Sequence, residues 1–351
     1  AALGLAACGS DDEPAAEAPT TDAPSTDTEA PAEPSDGGAV KTCLVTGLAG
    51  VDDQSFNASA WQGVQDAVAA GDATEDSFFL ESGEASQYQA NVDQMVDQGC
   101  EHIVTVGFAL GEVTATNATA NPDINWTMID NVLSDPDTFA PLGLPNVREL
   151  VYQTDEAAFA AGYLAAGVSQ TGVLCTYGGA NFPTVAIFMD GFTRGAQHYN
   201  EVKGGDVTVL GWDVEAQDGT FTGSFTDMGL ARSQADSLFQ ENCDMIIPVG
   251  GAINLPAGDA INDLGIEAAL IGVDSDAFFA MDQQYSSLWL TTVEKKIADF
   301  VAQSIDEDSD ESWTAGQFVG NLANGGVGLA PYHDWDDRVS EELRSEIDQL
   351  L

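Results

Sequence analysis

The feature that most constrains the fold is a glycine-flanked turn at residues 47–63, which joins a buried strand to a helix. The apolar run at 43–46 that leads into it is typical of a buried parallel strand. After the turn, Trp61, Val64 and Ala67 lie on one face of a helical pattern. Open α/β sheets bind their ligands at such turns, outside the carboxyl ends of the strands. The turn therefore predicts an α/β protein with a ligand site at this position.

The side chains of the turn indicate which ligands it accepts. Dinucleotide sites carry a GxGxxG pattern that brings phosphate to a helix N-terminus. Here the glycines are placed differently, and Asp52 and Asp53 would repel phosphate. The turn also contains Asn57 and the ring of Phe56. These residues favour a neutral polar ligand that has hydroxyl groups to donate.

Strands and helices alternate through the rest of the chain, which implies parallel sheets covered on both faces. The roughly 310 residues after the N-terminal segment are too many for one ordinary core. Because the second half repeats the layout of the first, we predict two doubly wound lobes with the ligand in the cleft between them. The predicted strands are 42–47, 77–80, 103–107, 126–130, 147–152, 172–176, 206–211, 245–249, 269–273 and 289–293, the predicted helices are 57–70, 86–99, 110–120, 156–169, 184–200, 229–241, 256–264 and 295–305, and hinge strands are expected near 150–153, 284–290 and 313–320.

The cysteines follow the same duplication. Cys43 and Cys175 each lie in the first predicted strand of a lobe, while Cys100 and Cys243 each precede the third. The first and third strands of a doubly wound sheet are neighbours. We therefore predict the disulfides Cys43–Cys100 and Cys175–Cys243, which an exported location permits. Four buried free thiols are the alternative.

The charge balance is strongly acidic, with 58 Asp and Glu against 9 Lys and Arg and a net charge of −49. This excludes nucleic acid and anionic membrane surfaces as electrostatic partners. An acidic surface with few lysines suits a high-salt habitat, where the screening length falls to roughly 3 Å at 1 M. An acidic secreted protein without salt adaptation is the alternative.

Carboxylates close two of the predicted strands. Asp130 and Asp274 each end an apolar run, and a carboxylate there points into the cleft and accepts hydroxyl hydrogen bonds. Helix capping or a turn is the alternative for both. Asp53 and Asn57 suit either ligand binding or capping of the helix that begins near residue 57.

Two phenylalanines and one glycine complete the candidate site. Phe56 lies in the turn, where a core ring is not expected, and Phe188 lies near the start of a predicted helix. Val185 and Phe192 share helical spacing with Phe188, so a core position is its alternative. Gly250 ends an apolar strand and would admit a ligand close to the backbone.

The scarcity of cations makes the lysines informative, since the chain has only Lys41, Lys203, Lys295 and Lys296. The last two stand together where a predicted strand turns into a helix. Lys295 is a candidate cleft residue, with a surface pair beside Glu294 as its alternative. Lys296 is interpreted as a solvated neighbour.

Several segments carry a family resemblance. The run VDDQSFNASAWQG (51–63) resembles the opening signature of the basic membrane lipoprotein family, the substrate-binding proteins of nucleoside ABC importers. The resemblance covers about 41–336 and implies a type I periplasmic-binding-protein fold with lobes joined by a three-strand hinge. Further matches, in the family's order, are IVTVGFALG (103–111), TDEAAFAAGYLAAG (154–167), FMDGF (188–192), GTFTGSFTD (219–227), IGVDSD (271–276) and NGGVGLAPYHD (324–334).

The resemblance also implies roles for individual residues. Lys295 and Asp274 match positions that bind the sugar of a nucleoside, and Asp130 matches a cleft residue near the base or ribose. Phe56 and Phe188 would clamp a purine from opposite lobes, and stacking contributes roughly 1–3 kcal/mol per ring.

The N-terminal segment reads as an export signal and a tether. Leu5-Ala6-Ala7-Cys8 has the form of a lipobox, so Cys8 is the expected site of lipid attachment. The acidic Pro- and Ala-rich stretch that follows has no aromatic residue and is expected to be disordered. The predicted organisation is a signal-peptide remnant and lipobox at 1–8, a tether at 9–40, an N-terminal lobe at 41–150 plus 288–312, and a C-terminal lobe at 151–287 plus 313–351.

Enzyme signatures are absent from the sequence. The histidines His102, His198 and His333 have no metal-ligand spacing, and there is no GxSxG elbow or P-loop. We expect no metal and no cofactor. The predicted function is a lipid-anchored receptor on the extracytoplasmic face of the cell membrane. It would deliver a purine nucleoside (inosine, guanosine or adenosine) to ABC permease subunits. A simple-sugar or autoinducer-type receptor is one alternative, and a surface adhesin or signalling lipoprotein is another.

Overall fold

The computed structural model describes residues 38–351. It contains two six-stranded sheets, in which the strands are arranged in the same order. The predicted lipobox at Cys8 and residues 9–37 of the predicted tether lie outside the described residues. The strands are β1 (Thr42–Val45), β2 (Phe78–Leu80), β3 (His102–Val106), β4 (Asn125–Ile129), β5 (Val147–Tyr152), β6 (Val173–Gly178), β7 (Thr208–Leu210), β8 (Trp212–Asp213), β9 (Asp218–Gly219), β10 (Met245–Val249), β11 (Ala269–Asp274), β12 (Trp289–Lys295), β13 (Gly316–Gly320) and β14 (Val327–Leu329). The helices are α1 (Phe56–Ala70), α2 (Tyr88–Asp97), α3 (Gly111–Ala120), α4 (Thr154–Val168), α5 (Pro183–Lys203), α6 (Met228–Gln240), α7 (Leu255–Leu264), α8 (Ala277–Ala280), α9 (Ile297–Ser309) and α10 (Glu341–Leu350).

The strand order shows the duplication directly. The first sheet runs β2-β1-β3-β4-β5-β13 and the second runs β7-β6-β10-β11-β12-β14. Within these two sheets, all neighbouring strands are parallel except β12 and β14, which are antiparallel. In each lobe the second strand lies at the edge and the first and third are neighbours. The predicted pair of doubly wound lobes is confirmed.

The chain passes between the two sheets at three points, residues 153, 296 and 321–326. The first lies within the predicted hinge segment 150–153, whereas the other two follow the predicted segments at 284–290 and 313–320.

The lobe boundaries therefore differ from those predicted from sequence. Residues 288–312 were assigned to the first lobe, but β12 is a strand of the second sheet and only α9 packs on α1. Residues 313–351 were assigned to the second lobe, but β13 pairs with β5 in the first. The predicted boundaries were wrong because β12 pairs with β11 and β14 in the second sheet, and the chain returns to the first lobe only after β12 ends. Lys295, predicted within a helix at 295–305, is instead the last residue of β12.

Glycines set the close packing of α4 on α5 in the second lobe. A Cβ atom on Gly162 would lie 1.9 Å from the carbonyl oxygen of Phe192, and one on Gly195 would lie 1.9 Å from that of Phe159. The two helices approach to backbone distance because neither glycine has a side chain. Pro183 opens α5 at a position where its missing N–H costs nothing. This packing fixes the helix that carries Phe188.

Some short elements were not predicted from the sequence. They are the β8–β9 hairpin, the short helix α8, the antiparallel strand β14 and the C-terminal helix α10. Within residues 38–351, no helix combines the length and hydropathy needed to cross a membrane.

Both predicted disulfides are present. Cys43 of β1 is bonded to Cys100, just before β3, and Cys175 of β6 is bonded to Cys243, just before β10. All four residues are buried. The alternative of four free thiols is excluded, and each lobe has a covalent link between its first and third strands.

We expect the disulfides to stabilise the lobes substantially. The cysteines are separated by 57 and 68 positions, and closing loops of this length contributes roughly 4 kcal/mol each in the chain-entropy model. The double substitutions Cys43→Ala with Cys100→Ala, and Cys175→Ala with Cys243→Ala, should each lower the free energy of unfolding by about this amount in urea. Wild-type protein in reductant is the matched comparison. An unchanged urea midpoint in both variants would show that the links add no stability.

Candidate functional site

A cavity lies between the two lobes where the carboxyl ends of their strands meet, as expected for this topology. Residues from both lobes line it, and all eight side chains or glycines selected from the sequence are among them. These eight are Asp53, Phe56, Asn57, Asp130, Phe188, Gly250, Asp274 and Lys295.

Asp53 makes the contacts of a helix cap. Its two carboxylate oxygens accept hydrogen bonds from the backbone N–H groups of Ser55, Asn57 and Ala58, at 2.9–3.1 Å. Burial raises the pKa of Asp53, and these N–H donors oppose that effect. The side chain therefore holds the first turn of α1, which carries Phe56, in place.

Asn57 extends this capping network. Its Nδ2 donates to Asp53 at 2.9 Å, and its Oδ1 accepts from the backbone N–H of Gly47 at 3.0 Å. Of the two roles that the sequence left open, the structure gives Asp53 the contacts of capping. The side chain of Asn57 instead links Asp53 to Gly47, which lies outside the helix. Both also line the cavity.

Lys295 joins the lobes through a buried cluster of charges. It lies at the end of β12 in the second lobe, and its Nζ atom is 2.6 Å from Oδ2 of Asp130, which follows β4 of the first lobe. The same Nζ atom is 3.8 Å from Oδ1 of Asp274. The Lys295 side chain is 2% exposed. It is therefore not the surface pair with Glu294 that was its alternative, and Lys296 makes that pair instead, at 3.1 Å.

The two carboxylates of this cluster occupy equivalent places. Asp130 follows the fourth strand of the first lobe and Asp274 ends the fourth strand of the second. Both have left-handed backbone conformations, with φ of 62° and 70°. Aspartate tolerates this region better than most residues, and it turns each side chain away from the sheet. One ammonium group thus faces a carboxylate from each lobe.

Ser55 makes a second contact between the lobes. Its hydroxyl lies 2.8 Å from Oδ2 of Asp274 and 3.0 Å from the carbonyl oxygen of Val273. Burial raises the pKa of Asp274 to about 6, although the charge of Lys295 and the Ser55 hydrogen bond both lower it. Sequence reasoning missed Ser55, although it lies inside the quoted signature.

Three rings surround the ammonium of Lys295. The centroids of Phe188, Phe56 and Tyr152 are 5.0, 5.2 and 5.7 Å from its Nζ atom, which is within the range of cation–π attraction. Phe56 comes from the first lobe and Phe188 from the second. Phe188 is only 2% exposed and packs in the core with Val185 and Phe192, as its alternative predicted, while also lining the cavity.

A row of further rings, not predicted as site residues, lines the same cavity. Phe108 of the first lobe lies 5.5 Å from Phe182 of the second, centroid to centroid, and Phe182 lies 6.1 Å from Phe225. Phe225 packs against Gly250, where an added Cβ would lie 2.9 Å from its ring. Two of these rings could have been predicted from their position in the sequence. Phe108 and Phe225 both follow strands and lie in segments that resemble the family, 103–111 and 219–227.

The histidines lie outside the cavity lining. His102 is fully buried and contacts Asp308 at 2.6 Å, and His333 contacts Asp276 at 2.8 Å. No group of three or more His, Cys, Asp or Glu within residues 38–351 is arranged to hold a metal ion. The cavity is therefore lined by aromatic rings, by carboxylates that can accept hydrogen bonds and by the buried ammonium group of Lys295.

Two doubly wound lobes with a cavity at their facing strand ends have the architecture of a cleft-type binding protein. The chain belongs to the Bmp family, described as ABC transporter substrate-binding protein PnrA-like, whose family model matches residues 41–350. This confirms the family resemblance found in the sequence. The family consists of binding proteins and is not an enzyme class.

Two relatives agree with this assignment, and a solved structure shares the fold. The chain is 28% identical to the ABC transporter nucleoside-binding protein BmpA of Lactococcus lactis, over 88% of this chain and 85% of the relative. It is 27% identical to Basic membrane protein A of Borreliella burgdorferi, over 85% and 81%. An ABC transporter solute-binding protein from Aeropyrum pernix has the same fold, with a TM-score of 0.77, 19% identity and coverage of 89% and 90%.

The raised pKa of Asp274 predicts an unusual pH dependence of stability. Because the pKa of about 6 in the folded state lies above the ordinary aspartate pKa of 3.8, the folded state holds this proton more tightly than the unfolded state. Its stabilising contribution is full below pH 3.8 and is lost as the pH rises through 6, by about 3 kcal/mol. Asp274→Asn should remove this loss.

The measurement is the free energy of unfolding of wild type and Asp274→Asn between pH 4 and 7. The variant should gain on the wild type as the pH rises, whereas Asp218→Asn, at an exposed position, should follow the wild type throughout. Parallel pH profiles for wild type and Asp274→Asn would contradict the raised pKa.

Proposed function

We propose that this protein captures purine nucleosides by closure of its two lobes and delivers them to an ABC permease. The observation that carries the proposal is that phenylalanine rings from both lobes line the same cavity as a buried lysine with two aspartates. A purine needs flat apolar surfaces, and a ribose needs acceptors and donors for its hydroxyls. The name of the Lactococcus lactis relative, a nucleoside-binding protein, supports this ligand class.

In the proposed complex the ribose lies at the charge cluster. Asp274 and Asp130 accept hydrogen bonds from its hydroxyl groups, and bonds to a carboxylate are stronger than those between neutral groups. Lys295 donates to a ribose oxygen while it stays paired with Asp130. Two carboxylates against one ammonium leave the cluster acidic, so an uncharged ligand is favoured over a nucleotide.

The base lies between rings of opposite lobes. Phe56 supplies the ring from the first lobe. For the second lobe the sequence prediction was Phe188, but its core packing leaves little of its face free. We propose that the half-buried Phe225 stacks on the base and that Phe188 lies deeper in the second lobe, behind Phe225. Gly250 leaves room for the ring of Phe225 because it has no side chain.

Binding requires the lobes to separate and close. The Lys295–Asp130 ion pair and the Ser55–Asp274 hydrogen bond both cross between lobes, so they form on closure. The three crossovers at 153, 296 and 321–326 are the proposed hinge. We propose that each lobe is built around one of the two six-stranded sheets, so the sheets define the boundary between the lobes.

The N-terminus places the receptor at the membrane in this proposal. Cys8 carries the lipid, and the acidic stretch after it separates the membrane from the lobes. This location, on the extracytoplasmic face, suits a protein with a disulfide in each lobe. The acid excess keeps the surface solvated at high salt, which is the proposed habitat.

The proposal is tested by calorimetric titration of the purified protein with inosine, guanosine, adenosine and ribose. We expect saturable binding of at least one nucleoside, with ribose weaker. Binding of ribose alone would indicate a sugar receptor, and no binding of any of the four would favour an adhesin or signalling role. Either result would contradict the nucleoside proposal.

Substitution of the rings locates the base. Phe56→Ala should weaken nucleoside binding by more than tenfold, because stacking on one ring contributes roughly 1–3 kcal/mol. Phe225→Ala should have a similar effect. Lys296→Ala is the matched control and should change little, since this lysine is 40% exposed and pairs with Glu294. Wild-type affinity in Phe56→Ala would show that the base does not stack there.

A further inference from the structure

One cavity-lining side chain has no part in the site described so far. Tyr88 is the first residue of α2, is 2% exposed and lines the cavity together with Leu48. Its hydroxyl group is buried, and its proton is donated to no acceptor in the described part of the chain. A buried hydroxyl without a partner destabilises the folded protein, so this group calls for an explanation.

Tyr152 also has a buried hydroxyl without a hydrogen-bond partner, but it is not among the residues that line the cavity. Three other tyrosines in the described part of the chain use their hydroxyls. Tyr177 donates to the carbonyl of Ile253 at 2.7 Å, Tyr285 donates to Asp259 at 2.7 Å, and Tyr163 contacts Glu346 at 3.1 Å. These tyrosines satisfy the donor within the protein. Tyr88 combines an unused donor with a position on the wall of the ligand cavity, so a ligand atom can accept from it.

The helix that begins at Tyr88, α2, packs on β1, and β3 separates β1 from β4, the strand that Asp130 follows. The pKa of Tyr152, which is close to Lys295, is raised by burial and also by the charges of Asp130 and Asp274. The pKa of Tyr88 is raised by burial, and the only other influence on it is the backbone N–H of Leu48, which lowers it. The cavity wall therefore has a phenol beside Leu48, which follows β1, and a carboxylate paired with a cation after β4, two strands away.

We propose that Tyr88 donates its hydroxyl proton to a ring nitrogen of the bound purine and so determines specificity for the base. This inference rests on the nucleoside function proposed above, because the charge cluster takes the ribose and leaves the base for the rest of the cavity. The nitrogens N3 and N7 are the acceptors that inosine, guanosine and adenosine share. A site built to hydrogen-bond a ligand atom rejects analogues that lack that atom.

The first test compares Tyr88→Phe with wild type by calorimetric titration with whichever of the three nucleosides binds most tightly. We expect about a tenfold loss of affinity, because one hydrogen bond to the base is removed. The thermal midpoint of the ligand-free variant should equal or exceed that of wild type, because the hydroxyl proton of Tyr88 has no acceptor inside the described part of the protein. Tyr163→Phe is the matched control and should keep wild-type affinity, since its hydroxyl contacts Glu346 on α10.

The second test uses 3-deaza and 7-deaza analogues of the same nucleoside, in which C–H replaces N3 or N7. Wild type should lose about tenfold in affinity for one of them, and Tyr88→Phe should bind that analogue and the parent nucleoside equally well. Wild-type affinity in Tyr88→Phe, or the same analogue penalty in both proteins, would overturn the assignment of Tyr88. Failure of wild type to bind any nucleoside would instead overturn the proposed function.

Discussion

The structure depends on one buried ammonium group that two carboxylates share. Taking a lysine out of water is costly unless its charge is compensated, and Lys295 is compensated by Asp130 at 2.6 Å and Asp274 at 3.8 Å. The two acids come from different lobes, so the compensation is complete only when the lobes are together. The pKa of Asp274 is still raised to about 6, because the effect of its burial is larger than the opposing effect of this single cation.

The duplicated topology explains how these groups meet. Each lobe ends its fourth parallel strand with an aspartate in a left-handed conformation, and parallel strands direct their carboxyl ends to the same edge. Lys295 ends the next strand of the second lobe, beside Asp274. The disulfides link the first and third strands of each lobe, and the three crossovers between the lobes are the proposed hinge. Rigid lobes and a few flexible residues are what closure around a ligand requires.

Much of this fold could be predicted from sequence, because buried parallel strands form distinct apolar runs. All ten predicted strands correspond to strands of the two sheets, and the cysteine pairing followed from the strand order. The lobe boundaries could not be predicted in the same way. Whether β12 and β13 join one sheet or the other depends on long-range pairing, which leaves no periodic signal in a strand of five to seven residues.

Residues of the site could be predicted from the sequence where the residue type is uncommon for that part of the chain. Residues of a common type could be predicted less well. A phenylalanine in a polar turn and a lysine in a chain with few lysines were informative, and Phe56 and Lys295 do line the cavity. The sequence could not separate capping from ligand binding at Asp53, because both roles use the same carboxylate after a strand. Phe108, Phe182 and Phe225 were missed because rings are common, and only the folded chain shows which of them face the cleft.

The most direct measurement of the central claim is the structure of the protein in complex with its preferred purine nucleoside. Our account predicts ribose hydroxyls within hydrogen-bond distance, about 3 Å, of Asp274 and Lys295, with the base stacked on Phe56. A complex in which the ribose lies away from Lys295, or in which the base does not contact Phe56, would contradict it.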